Sequence, residues 1–370
     1  MKFLLISPKN RTVYNFRGNL IKDIINNGYE VIVTGPDQID VDKVYSLGAS
    51  FKEIPMNKNG TNVMKDIKYL KSLLQMMKKE RPDIVLGYTI KPVVYGAIAA
   101  KIAGIKNINC MITGAGYTFT SQTLKAKILG FIVKFLYKIG LACADHVIFQ
   151  NKDDLKEFVE KKLVKEKKSY VVYGSGVDME KFKSSSYPKE INFFMLSRLL
   201  KSKGVIEYLE AAKVLKKRYP SVQFSLLGKY ETSMQDAVNK EYIESFINEG
   251  IIKRYDETSD VRPFYNNCSV YVLPSYREGT PRTVLEAMAM KRPIITTDTN
   301  GCRDTVEDGI NGFLVPIMNI EALVDKMEKF ILQPKLIESF GRESYRLCCQ
   351  KYDVIKVNKN MVKIMKLGGK

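Results

Sequence analysis

The chain of 370 residues has no tryptophan and one histidine, and its six cysteines never form a C-x-x-C pair. A single histidine excludes a histidine-rich metal centre. Cys110, Cys143, Cys268, Cys302, Cys348 and Cys349 show no metal-ligand spacing, and the adjacent pair Cys348-Cys349 suits neither a zinc site nor an ordinary disulfide. Free thiols in a reducing cytosol are expected. No apolar run reaches the roughly 18 residues of a spanning helix; the best candidate, around Ile128 to Ala142, is interrupted by Lys134 and Lys138. Met1 to Pro8 is too short for a cleavable signal and reads as a first strand.

What is present is a folded type of composition, 45% apolar without low-complexity tracts, and a length comfortable for two domains. The net charge is +19. Residues 1–183 hold 30 Lys and Arg against 17 Asp and Glu, a net +13; residues 184–370 hold 29 against 23, a net +6. The basic first half implies an anionic partner: a membrane surface, a phosphorylated ligand or nucleic acid. For nucleic acid, the chain lacks aromatic–basic interleaving and a recognition helix, so that reading stands as the weaker one.

Short apolar runs alternate with helical patterns, the signature of parallel α/β units. The first series predicts strands at Phe3–Ile6, Glu30–Thr34, Ile84–Leu86, Ile108–Ile112, His146–Phe149 and Tyr170–Tyr173, with amphipathic helices at Val63–Lys79 and Thr123–Leu141. A second series predicts strands at Ile191–Leu196, Gln223–Leu227, Ile251–Arg254, Val270–Leu273, Ile294–Thr296 and Phe313–Val315. The turn-rich stretch from Lys183 to Pro188 is the expected linker. Two doubly wound Rossmann-like domains facing a cleft follow, residues 1–183 and 184–353.

The densest chemistry lies between Tyr271 and Met290. A strand ends at Pro274, a loop carries Glu278 and Gly279, and a helix follows for which Thr280 is the expected N-cap and Pro281 the first position. A helix N-terminus at a strand's carboxyl edge is where nucleotides bind in open α/β sheets. Glu286 lies about two turns further on. In Leu196 to Gly204 another strand ends, and Arg198 and Lys203 stand where they could converge on a diphosphate, one as a planar fork and one as a point charge. Asp40-Val41-Asp42 matches a metal-binding D-x-D pattern, but it precedes a helix rather than following a strand, so N-capping is expected.

Arg198-x4-Lys203-Gly204, Gly228 after a strand, Glu278-Gly279-Thr280-Pro281 with Glu286, and Asn311-Gly312-Phe313-Leu314-Val315 occur in the order and spacing of GT-B glycosyltransferases of family 4, which the chain resembles over essentially its whole length. Val13 to Arg17, and Lys91 before Tyr95 to Ala100, make it similar to bacterial transferases that extend undecaprenyl-diphosphate-linked sugars, N-acetylgalactosaminyltransferases among them. The resemblance implies a last helix at about 354–370 crossing back onto the first domain, and a retaining transfer from a UDP-sugar to a polyprenyl-diphosphate-linked saccharide in surface-polysaccharide or glycan synthesis. It implies that Arg198 and Lys203 bind the donor diphosphate, with Gly228 beside it, and that Glu278 faces the donor sugar. Glu286 would accept the ribose hydroxyls, and Gly279, Thr280, Pro281 and Arg282 would line the donor at the helix start. Base selection falls near Lys253-Arg254-Tyr255. Asn15, Arg17, Lys91, Thr113, Gly114 and Gly116 are candidate acceptor contacts. Neither a cofactor nor a metal is expected. A GT-B sugar-nucleotide 2-epimerase is the alternative on the same architecture.

Many members of that family place a histidine near the donor sugar in the first domain. Here the one histidine, His146, opens a strand pattern and is expected in the core. In Lys125 to Leu141, at about 100° per residue, Lys127, Lys134 and Lys138 share one side. Ile128, Leu129, Ile132, Val133, Phe135, Leu136 and Ile139 occupy the other. Such a helix either lies on an anionic membrane or packs its apolar side into the core. With the charge and the implied acceptor, the expectation is a cytoplasmic protein held peripherally at the inner face of the plasma membrane.

Overall fold

The computed structural model describes residues 1–57, 62–114, 124–231, 234 and 236–367, without the side chains of 124–129. The chain divides into two compact units, Met1–Ser175 with Ile355–Lys370, and Gly176–Val354. The boundary therefore precedes the predicted linker by eight residues (183 − 175). The segment after Gly176 belongs to the second unit because Val177 bridges to Asp353 and the Phe182 ring packs edge-on against Tyr265.

In the first unit the elements run β1 (Lys2–Ile6), α1 (Asn10–Asn26), β2 (Glu30–Gly35), α2 (Val41–Tyr45), β3 (Ser50–Glu53), α3 (Val63–Glu80), β4 (Ile84–Tyr88), α4 (Ile90–Ile102), β5 (Asn107–Ile112), α5 (Leu124–Cys143), β6 (His146–Phe149), α6 (Lys152–Glu160) and β7 (Ser169–Val171). The sheet is wholly parallel in the order β3-β2-β1-β4-β5-β6-β7. Strands such as β1 and β4 are continuous apolar runs because helices cover both faces of a parallel sheet. Residues of α3, α4, α5 and α6 bury one face. Those of α1 and α2 bury the other, joined by Val357, Met361 and Ile364 of the last helix.

In the second unit β8 (Asn192–Leu196), α7 (Val205–Arg218), β9 (Gln223–Leu227), α8 (Lys240–Asn248), β10 (Lys253–Tyr255), α9 (Arg262–Asn266), β11 (Val270–Leu273), α10 (Arg282–Ala289), β12 (Ile294–Thr297), β13 (Gly312–Val315), α11 (Ile320–Leu332) and α12 (Lys335–Leu347) follow. A π-helical turn, Cys348–Tyr352, leads into α13 (Val354–Ile364). The parallel order is β10-β9-β8-β11-β12-β13. Strand order reverses between β8 and β11 here, and between β1 and β4 in the first unit; loops leaving the two strands at such a reversal diverge and open a crevice.

Two predicted helix starts need correction. Helix α10 begins at Arg282 with Pro281 at the cap position, one residue later than expected, and Pro281 supplies no side-chain cap bond. Asp40 does precede α2, but in a left-handed conformation (φ 59°) and without capping; its carboxylate accepts from Lys43 Nζ at 2.8 Å instead.

His146 is buried at the amino-terminal end of β6. Asn109 donates through Nδ2 to Asn107 Oδ1 (2.9 Å) and Val85 O (3.2 Å), so its Oδ1 is left to accept from His146 Nδ1 at 3.0 Å. Burial depresses the imidazole below its ordinary value of 6.5, helped by Lys366 and opposed by Asp145. Its contribution to stability is complete above about pH 6.5 and declines as pH falls through the depressed folded value. His146→Ala is expected to cost about 1–3 kcal/mol of stability by stranding the Asn109 oxygen, seen as a lower urea midpoint, while turnover per folded molecule is unchanged.

Candidate functional site

The crevice of the second unit is built where β8 and β11 part. After β8, Arg198 leads into a 3-10 turn, Lys201–Lys203, that ends on Gly204. Gly204 has φ 73°, and a Cβ on it would stand 2.1 Å from the Pro274 carbonyl oxygen. Only glycine lets the turn leaving β8 lie against the loop leaving β11. Backbone bonds fasten the two: Tyr276 N donates to Ser202 O at 2.9 Å.

That approach brings Lys203 to Glu278. Lys203 Nζ donates to Glu278 Oε1, and the two side chains are 18% and 16% exposed. Ser275 Oγ lies 2.9 Å from the same oxygen. Behind the loop, Glu278 N donates to Asn300 O at 3.1 Å. Gly301 (φ 76°) packs so closely that a Cβ would meet the Gly279 carbonyl oxygen at 2.2 Å. The loop is thus held by backbone on one side, and its carboxylate by a cation and a hydroxyl on the other.

Arg282 in the first turn of α10 pairs with Glu286 four residues on, Nε to Oε1 at 3.1 Å. Tyr265 OH lies 3.1 Å from Glu286 Oε2. Burial raises the Glu286 carboxyl above the usual range, and Arg282, Tyr265 and Lys181 act against that rise. Arg198 is exposed, with Nη1 3.4 Å from Met234 Sδ. Gly228 directly follows β9, where a Cβ would collide with Ser197 O at 2.1 Å, so the turn after β9 also closes on the β8 loop. Arg254 Nη2 donates to Gly228 O at 2.9 Å and its guanidinium lies 3.9 Å over the Tyr230 ring. One wall therefore carries Gly228, Arg254 and Tyr255, the other Glu278 and the start of α10.

In the first unit, Arg17 is buried on α1, its guanidinium 2.8 Å from Met111 Sδ and over the Tyr88 ring. Asn15 is exposed on the same helix. Lys91, in the first turn of α4, donates to Asp66 Oδ1 at 2.5 Å, and Tyr95 OH donates to Asp66 Oδ2 at 3.1 Å. Thr113 and Gly114 follow β5, Gly114 with φ 121°. Gly116 lies outside the described residues, and Lys127 outside the described side chains. Helix α5 turns its apolar residues differently from the expected pattern. Val133, Tyr137, Gly140 and Leu141 face the core, whereas Phe131 (73% exposed), Ile132, Phe135 (57%) and Ile139 face outward with Lys138. A Cβ on Gly140 would stand 2.7 Å from Val94 Cα, and this close approach to α4 sets the helix's rotation.

Ser275, Tyr265 and Gly301 were not singled out for the site from the sequence, and Gly204 stood there only as part of the Arg198-x4-Lys203-Gly204 motif. Ser275 follows a strand ending in proline, and Gly204 directly follows Lys203, so both carried a local signal; Tyr265 carried none. Among the described residues no three His, Cys, Asp or Glu side chains gather as a metal site, and no helix is long and apolar enough to cross a membrane.

Residues 177–347 match the model of glycosyl transferases group 1, and residues 2–151 that of the glycosyl transferase 4-like domain. A capsular polysaccharide biosynthesis glycosyltransferase of Staphylococcus aureus, CapM, is 30% identical, covering 82% of this chain and 83% of its own. A Campylobacter jejuni enzyme, N,N'-diacetylbacillosaminyl-diphospho-undecaprenol alpha-1,3-N-acetylgalactosaminyltransferase, is 27% identical over 91% of each chain. Among solved structures, sucrose-phosphate synthase of Thermosynechococcus elongatus superposes with a TM-score of 0.83 at 16% identity, covering 99% of this chain and 98% of its own. Anabaena HepE with UDP and glucose gives 0.80 at 18%, covering 99% of each. These likenesses of structure bear on the fold.

Proposed function

The chain belongs to the group 1 glycosyltransferases, and from that premise we propose that it moves a sugar from a UDP-sugar onto a polyprenyl-diphosphate-linked saccharide, with retention at the anomeric carbon. The observation that carries this reading is the Lys203–Glu278 pair at the strand-order reversal of the second unit. A cation fixed there can meet a diphosphate, and a carboxylate fixed beside it can meet the sugar that the diphosphate carries. Lysine has three donors; one goes to Glu278, and the others serve phosphate oxygens. Arg198 adds a fork from the same loop, and Glu286 takes the ribose hydroxyls. The leaving diphosphate gains charge as the glycosidic bond breaks, so these cations stabilise the transition state more than the ground state. Glu278, already engaged by Lys203 and Ser275, suits orienting sugar hydroxyls better than attacking carbon. The acceptor hydroxyl then attacks from the face the diphosphate leaves, passing its proton to a diphosphate oxygen.

The Campylobacter relative acts, by its name, on an undecaprenol-linked diphospho-sugar with N-acetylgalactosamine as the group transferred. That supports an N-acetylhexosamine donor and a lipid-linked acceptor here. Calorimetric titration with UDP, GDP and dTDP and their N-acetylhexosamine conjugates tests the donor: UDP compounds are expected to bind most tightly, and preference for GDP would overturn that part of the reading.

A lipid-linked acceptor places the enzyme at a bilayer, and α5 offers the face for it: Phe131, Ile132, Phe135 and Ile139 outward beside Lys138, on the more basic half of the chain. Such a side suits the interface of an anionic inner leaflet. Phe131→Glu with Phe135→Glu is expected to weaken co-sedimentation with phosphatidylglycerol vesicles by about tenfold or more, from the apolar area each ring would bury. Transfer to a short-chain, water-soluble acceptor is expected to persist. Sedimentation indifferent to the double change, to anionic lipid and to salt would rule the contact out.

A further inference from the structure

Tyr265 has one hydroxyl proton and two oxygen neighbours that accept: the Thr283 carbonyl at 2.9 Å and Glu286 Oε2 at 3.1 Å. All three are held rigidly. Tyr265 is fully buried at the packing point of α9, its own carbonyl taken by Arg292 Nε at 3.0 Å. Thr283 and Glu286 are fixed one helical turn apart on α10. A carbonyl oxygen can only accept. If the phenol donates to it, an ionised Glu286 leaves two lone-pair-bearing oxygens facing each other in a buried place, which is costly. A proton on Oε2 removes the conflict: the carboxyl donates to the phenol oxygen, the phenol donates to Thr283 O, and Oε1 still accepts from Arg282 Nε at 3.1 Å.

We propose that Glu286 carries a proton on Oε2 until the nucleoside diphosphate binds, that Tyr265 is the positioning residue accepting its hydrogen bond, and that nucleotide binding releases this proton to solvent. The proposal rests on the reading of Glu286 as the ribose ligand. Two ribose hydroxyls donate, so they need the carboxylate, and binding exchanges the proton for the pair of hydroxyls. The groups facing Glu286 are Arg282 on its own helix, Tyr265 of α9, Tyr271 of β11 and Lys181, with Arg292 and Cys268 behind Tyr265. Burial acts in the same direction, raising the carboxyl above the ordinary range against the opposing pull of Arg282, Tyr265 and Lys181. Binding then favours the deprotonated form, so affinity falls by about tenfold per pH unit below the titration of the free enzyme's Glu286.

The test is calorimetric titration of UDP into the full-length enzyme, Glu286→Gln and Tyr265→Phe, across pH and in buffers of different ionisation heat. The diphosphate's own proton contributes equally to all three. Wild type is expected to release more protons than Glu286→Gln at the same pH. Glu286→Gln, which copies the protonated carboxyl, is expected to bind about tenfold to a hundredfold more weakly at neutral pH. In Tyr265→Phe the protonated carboxyl loses its acceptor, so the acid limb of affinity should move to lower pH. A limb moving to higher pH would show the phenol donating to a carboxylate and overturn the proposal. Equal proton release by wild type and a weakened Glu286→Gln would overturn it without any help from Tyr265→Phe. Undiminished UDP affinity in Glu286→Gln marks a different failure, that of the ribose reading itself.

Discussion

Lys203→Ala is expected to lower kcat/KM for the donor by about a hundredfold to a thousandfold, the size found when one preorganised charge at a developing anion is removed. Two effects combine. The first is loss of the point charge at the end of the turn after β8. The second is what remains: Glu278, 16% exposed and without its cation, keeps only Ser275 beside Oε1 and turns its negative charge on the donor's diphosphate. The second effect gives the prediction a signature. Adding Glu278→Ala to Lys203→Ala should restore part of the donor affinity, so the double-mutant cycle closes with strong coupling. Initial rates over donor concentration, with a urea midpoint as folding control, measure both. Near-normal turnover of Lys203→Ala at low donor concentration would contradict the diphosphate assignment.

Glu278→Gln is expected to reduce kcat by about a hundredfold or more while shifting donor KM less, because in the proposed transfer the carboxylate acts on the sugar as it departs rather than on the nucleotide that anchors it. The amide keeps the shape and can still accept from Ser275, but it no longer attracts Lys203, which is then free to sit more firmly on the diphosphate; donor KM could even fall. Glu278→Ala should be slower still, since it also removes a hydrogen-bond partner from Ser275. The loop itself should survive both changes, being held by Glu278 N on Asn300 O and by Gly301. Mass spectrometry of the enzyme quenched during turnover should show no glycosyl adduct at Glu278. An adduct there would replace same-face attack with a covalent route.

The parallel architecture was legible because its strands are buried on both faces, and twelve apolar runs followed by helical patterns can hardly be arranged otherwise. Strand β3 escaped notice: Ser50–Glu53 has one buried residue, Phe51, as an edge strand can. The linker was sought in a turn-rich sequence after Lys183, but what decides a boundary is contact, and Val177 already bridges to Asp353. The start of α10 slipped by one residue because Pro281 fits a cap position as well as a first turn. Helix α5 is apolar on most sides, so its lysines could not fix which side faces inward; that was settled by Gly140 against Val94, a contact between distant residues. For the site, chain order supplied Arg198, Lys203, Glu278 and Glu286. It could not supply their pairing. Lys203 meets Glu278 across 75 residues, and Tyr265 meets Glu286 across 21.

Sugar transfer itself is tested by one reaction. The enzyme is incubated with a UDP-N-acetylhexosamine and a synthetic polyprenyl-diphosphate-linked sugar, and the product is read by mass spectrometry and by the anomeric coupling in its NMR spectrum. The expected product is an acceptor heavier by one N-acetylhexosamine residue, joined with the α configuration of the donor. A UDP-sugar converted to its epimer without any acceptor, or an acceptor left unchanged by every UDP-sugar offered, would contradict it.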